Sequence, residues 1–125
     1  MTAQEYSEDE RLRFYRCMTR IFQIERDLGG TAIDAIILRA AAIGRLEEKP
    51  MSISALAGYL NLPRQTVSRR VAHLADRGML KTAREGNRTI VTTTEKAKRG
   101  SLRFAGEAIA LTVDFVASLE AERPK

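Results

Sequence analysis

Tryptophan is absent from this 125-residue chain, cysteine and histidine occur once each, and proline three times. A single Cys17 excludes an internal disulfide, which suits a reducing compartment. The lone His73 stands among Arg69, Arg70 and Arg77 with no Cys or acidic cluster at ligand spacing, so no metal site is expected there. No apolar stretch approaches the ~18 residues of a membrane span, and no secretory h-region stands at the start. The expectation is a soluble, cytoplasmic protein. Gly29-Gly30 lacks the Lys and Ser/Thr offsets of a phosphate loop. The acidic runs Glu8-Asp9-Glu10 and Glu47-Glu48 sit at helix ends, where they act on the helix dipole rather than converge as a hydrolytic pair. Neither an enzymatic activity nor a cofactor is expected.

Against these absences stands an uneven charge. The chain carries a net +5, yet residues 61–103 hold eleven Lys or Arg against three Asp or Glu, a net +8. The segments on either side are mildly acidic, at −1 for residues 1–60 and −2 for residues 104–125. A basic middle with mildly acidic flanks is a distribution that suits a polyanion-binding module. There are no internal repeats and no low-complexity linker; the one polar hinge is Glu47-Glu48-Lys49-Pro50.

That basic middle has a specific punctuation. Ile53, Leu56, Ala57 and Leu60 fall at helical spacing behind Ser52, whose hydroxyl can cap the first turn. Asn61-Leu62-Pro63 breaks this short helix, because Pro63 brings no amide and favours an extended residue before it. A second helix over residues 64–77 puts Val67, Val71 and Leu74 on one stripe. At about 100° per residue its opposite side is centred on Gln65, Arg69 and Ala72. Gln and Arg are the side chains able to pair bidentately with adenine and guanine edges in a major groove. Gly78 ends the helix in the left-handed conformation open to glycine. The runs 80–84 and 89–93 are β-prone and flank Glu85-Gly86-Asn87-Arg88, a tight reversal. Helix, turn, helix and hairpin in this order predict a winged helix-turn-helix, the shape of a module that reads duplex DNA.

The stretch resembles the MarR family of dimeric winged-helix transcription factors. The likeness spans about residues 49–100 and is carried by Gln65-Thr66-Val67-Ser68-Arg69, Leu74 and Arg77-Gly78-Met79-Leu80. The family's closing Leu-Thr-Glu-Lys-Gly appears as Thr93-Thr94-Glu95-Lys96-Ala97, so two of the five positions depart. In the wing the family's Asp-x-Arg falls on Glu85-Gly86-Asn87, with the arginine one place later at Arg88. The resemblance implies a homodimeric regulator on a palindromic operator, often with a small-molecule effector bound between its helical and DNA-reading parts. Gln65 and Arg69 are the expected base readers. Arg64, Thr66, Ser68 and Arg70 are expected on phosphates, and Arg84 and Arg88 on the flanking groove or backbone.

The flanks supply the expected dimer. Residues 8–28 contain no Gly or Pro and present two apolar stripes, Phe14, Cys17, Ile21, Ile24 and Leu28 beside Tyr15, Met18 and Phe22. Near the other end Leu102, Ala105, Ile109, Val113, Val116 and Leu119 form one stripe, and Phe104, Ala108, Leu111 and Phe115 a second. A helix apolar on two stripes has two neighbours, and a chain this short has little interior for the surplus. A nearly all-apolar helix over residues 31–46 is the expected buried connector. The architecture anticipated is a mostly α single domain over 1–125, with a helical dimerisation part (8–46 and 101–120) around a winged helix-turn-helix (50–97). Relatives in the resembled family sense peroxide through a first-helix cysteine near tyrosines of the partner subunit. That makes Cys17, close to Tyr15 and to Arg13, Arg16 and Arg20, a candidate redox residue; the alternative is an ordinary small core residue. The competing functional class is a winged-helix protein-interaction module that joins an assembly without touching DNA.

Overall fold

The computed structural model describes residues 5–123; residues 1–4 and 124–125, included in the domain anticipated above, lie outside the described residues. The element order is α1 (Glu8–Gly29), α2 (Ala32–Leu46), α3 (Ile53–Leu60), α4 (Arg64–Asp76), β1 (Leu80–Glu85), β2 (Arg88–Thr93) and α5 (Glu95–Ala121). Mostly helical with one antiparallel hairpin, it is a winged helix-turn-helix carried between long terminal helices.

Hydroxyl caps set most of the helix starts. Ser7 and Glu10 form a reciprocal capping box at α1, each side chain bonding the other's amide at 3.1 and 2.8 Å. Thr31, Ser52 and Thr94 cap α2, α3 and α5 through their own side chains, each such cap stabilising its helix by about 1 kcal/mol. Thr94 does more than cap. Its hydroxyl also reaches the Gly78 carbonyl at 2.6 Å, closing the base of the hairpin on the end of α4.

One apolar core joins the helices to the hairpin. Ile37 and Leu38 of α2, Leu56 of α3, Val67, Val71 and Leu74 of α4, and Val91 of β2 are all buried together, each side chain contributing about 1.5–3 kcal/mol of transfer free energy. Strands β1 and β2 pair from Leu80↔Thr93 to Glu85↔Arg88. At the tip Gly86 takes φ 63°, the positive value that a two-residue hairpin loop asks of its first central residue. The hinge over residues 47–50 is tied down at both ends: Lys49 donates its amide to the Gly44 carbonyl, and Ser52 bridges Ile90 of β2.

The terminal helices run antiparallel. Arg13 of α1 donates to Ser118 at 2.9 Å and to Glu122 at 2.7 Å near the far end of α5, and the Phe14 and Phe115 rings lie 5.7 Å apart. At the other end Leu28 packs on Gly100, where an added Cβ would meet the tip of the leucine side chain. Helix α5 is continuous from residue 95 to residue 121, so it runs from the end of the anticipated winged part through the second anticipated helical segment.

Each terminal helix turns one of its two stripes inward. Cys17, Ile21, Ile24 and Leu28 meet Phe104, Ala108, Leu111 and Phe115, and all are partly buried. The companion stripes are bare: Tyr15 is 60% exposed, Met18 50%, Ile109 63% and Val113 59%. Among the described residues no helix is long and apolar enough to cross a membrane.

Candidate nucleic-acid interface

The second helix of the helix-turn-helix, α4, is split cleanly by its periodicity. Val67, Val71 and Leu74 are buried, while Gln65, Ser68, Arg69, Ala72 and His73 are exposed on the outer side. The helix starts behind Pro63 with no side-chain cap and no acidic residue in its first turn, leaving its first amides and the positive end of its dipole directed outward. Thr66 is half-buried at the edge of this face. Arg64 is exposed and rests on α3, its Nε donating to the Ser54 hydroxyl at 2.8 Å. That bond aims the guanidinium across the turn.

The wing adds two exposed arginines. Arg84 donates to the Thr89 hydroxyl across the hairpin at 3.2 Å, and Arg88 pairs in register with Glu85 beside the tip. Both lie on a hairpin whose base is fixed by core residues Leu80 and Val91. The tip therefore projects as a stiff basic finger.

Arg70, expected on a phosphate, has another occupation. Its Nε and Nη2 donate to the two carboxylate oxygens of Asp34 at 2.7 and 2.6 Å, and Asp34 is only 1% exposed. The side chain is thus turned inward to the start of α2, a partner that no reading of α4 alone could reveal. Burial by itself pushes the Asp34 carboxyl up, but the bonds and charge of Arg70, with help from Thr31 and His73, outweigh it and hold the group below the usual carboxylate range. The same pairing raises Arg70 above the ordinary arginine value against the cost of its desolvation. Arg70 is a positioning residue: it sets the recognition helix against α2.

A second inward pair secures the helical part. Buried Glu25 of α1 accepts two bonds from Arg39 of α2, the Nε bond at 2.6 Å. Glu25 and Arg39 stand at one wall of an open cleft of about 420 Å³ between α1, α2 and α5, lined mostly by apolar residues such as Leu38, Ile43, Leu46 and Phe104, with Arg45, Lys98 and Ser101 also on its walls. Its volume suits a small organic molecule. The Cys17 thiol lies in the α1–α5 seam, with Sγ donating to the Leu111 carbonyl at 3.7 Å. Among the described residues no group of three or more His, Cys, Asp or Glu could hold a metal ion.

A winged helix-turn-helix with an outward-facing Gln/Arg helix and a basic wing defines the class. Residues 33–88, just under half of the chain, match the model of the MarR family. Solved structures agree on the fold. Staphylococcus aureus MepR, a transcription regulator of a multidrug efflux pump, superposes with a TM-score of 0.69 at 13% identity, over 92% of this chain and 84% of MepR. A mutant of the same regulator bound to an oligodeoxyribonucleotide gives 0.67 at 12% identity, over 97% and 87%. Streptomyces coelicolor PcaV in complex with its natural ligand gives 0.58 at 18% identity, over 94% and 85%. No curated protein matches the chain in sequence.

Proposed function

We propose that this chain is a homodimeric, sequence-specific transcriptional repressor that binds a palindromic DNA operator. The observation that carries the proposal is the outer face of α4, where exposed Gln65 and Arg69 stand on a helix fixed from behind by Val67, Val71 and Leu74. Buried backing makes the display rigid, and rigid Gln and Arg side chains can discriminate base edges. Arg64, Thr66 and Ser68 flank them as phosphate contacts. Arg84 and Arg88 carry the contact outward to the next groove or backbone.

Two reading heads require two chains. The uncovered stripes containing Tyr15, Met18 and Phe22 on α1 and Leu102, Ile109 and Val113 on α5 support a twofold interface between copies, since water-exposed rows of this kind favour burial. The apolar cleft between α1, α2 and α5 supports an effector site there. An effector would act through the spacing of the heads, because α5 runs unbroken from the base of the wing into the helical part. For Cys17 the seam position supports packing over peroxide sensing.

Selection of binding sites from random duplex DNA tests the proposal. Enrichment of an inverted repeat with half-sites about one helical turn apart is the expected result. Failure to enrich any sequence at low salt would instead favour a winged-helix module that binds protein.

A further inference from the structure

Beside the apolar cleft, and sharing Leu28 and Phe104 with it, lies a second groove of about 570 Å³ with a different chemistry. Five cations surround it: Arg20 of α1, Arg77 at the end of α4, and Lys96, Arg99 and Arg103 of α5. Asp27 and Glu107 are the acids that share it. Ile24, Met79 and Phe104 supply apolar lining.

Two of the cations are anchored and three are not. Arg77 donates Nη1 to the Gly29 carbonyl, and Lys96 donates to the Arg77 carbonyl at 3.1 Å. Among the described residues Arg20, Arg99 and Arg103 make no hydrogen bond or salt bridge, and Glu95, the nearest acid before Arg99 on the helix, is bonded to Lys98 at 3.0 Å. Arg99 and Arg103 stand one turn apart on α5, while Arg20 faces them from α1. The bare stripe through Leu102, Ile109 and Val113 runs along α5 beside these arginines.

We propose that this groove binds a small amphipathic anion carrying at least two negative charges, of the class of an aromatic or nucleoside phosphate. Like charges crowded around a concave surface repel one another, and a dianion relieves that repulsion while offering the geometry that guanidinium forks recognise. With Asp27 and Glu107 counted the groove carries a net +3, so a single charge would leave two cations unmatched. The apolar lining takes the organic part, as hydrophobic walls with a few directing polar groups do in ligand sites. The groove is formed jointly by α1, the end of α4 and α5, so a bound phosphate bridges the reading head and the helical part without entering the apolar cleft.

Isothermal titration calorimetry of the full chain without DNA tests this with phenyl phosphate, inorganic phosphate and phenol as probes. Phenyl phosphate is expected to bind more tightly than either of the others, since only it satisfies both walls. The double substitution Arg99→Gln with Arg103→Gln should weaken its binding by at least about tenfold, the loss expected for a charged hydrogen bond. The charge-matched control, Arg11→Gln with Lys49→Gln, should retain it, and circular dichroism confirms that both variants are folded. Absence of binding to the wild-type chain overturns the proposal. So does equal weakening in both double variants, which would mean general attraction to a basic protein.

Discussion

Arg70 grips Asp34 with two parallel hydrogen bonds of 2.7 and 2.6 Å, fastening the recognition helix to the first turn of α2. A planar guanidinium against a carboxylate fixes direction as well as distance. The outer face of α4 is therefore held in angle by a polar clamp and in depth by Val67 and Val71.

The clamp predicts a large stability loss when one partner is removed. Arg70→Ala strands the Asp34 carboxylate and should lower stability by clearly more than the loss of an exposed ion pair, read by urea denaturation. Replacing both partners, as in Arg70→Met with Asp34→Leu, should recover most of that loss. A single substitution costing no more than an exposed ion pair would show that the clamp is not formed.

The pair also predicts a pH dependence. Because the Asp34 carboxyl is held below its ordinary range when folded, its contribution is fully present above the unfolded value of about 3.9 and is lost as pH falls through the lower, folded value. Denaturation midpoints should therefore drop more steeply below pH 4 in the wild type than in the doubly replaced chain. Identical acid profiles would remove Asp34 from the account.

Arg69→Ala separates reading from mere attraction. It should weaken binding to the selected site by about 1–3 kcal/mol and relax preference at one position in each half-site. Competition against single-base variants of the site gives the measurement; uniform weakening across them would reduce Arg69 to a phosphate contact. Arg88→Ala should instead lower affinity for all sequences and flatten the salt dependence by about one unit of slope.

Much of the reading head was legible because its signals are local. Ser52, Pro63, Gly78 and Gly86 each act within a few residues, and they mark the ends of α3, α4 and the hairpin where the structure has them. The double stripes of α1 and α5 were legible too, but periodicity alone does not say which stripe turns inward. Contact between Phe14 and Phe115 and between Leu28 and Gly100 decides that. The pairing of Arg70 with Asp34 was not legible for a related reason. Arg70 has its partner 36 positions away on α2, and on the helical wheel its side chain is no less available to solvent than Arg64. Gly100 lies inside the continuous α5, where it packs against Leu28 of α1.

Dimer formation gives a prediction that the exposure of the stripes sharpens. Ile109 and Val113 are more than half exposed in the single chain, so Ile109→Asp or Val113→Asp should leave each chain folded, with an unchanged helical signal, yet prevent pairing. Unfolding of either variant in step with dissociation would indicate that the stripe is part of the chain's own core.

The central claim, a twofold reader of duplex DNA, is tested most directly by sedimentation of the chain on its selected duplex. The account predicts a complex containing two 14.0 kDa chains per inverted repeat, with Val113→Asp unable to form it at the same concentration. Tight, sequence-specific binding by one chain per duplex, unaffected by Val113→Asp, would contradict it.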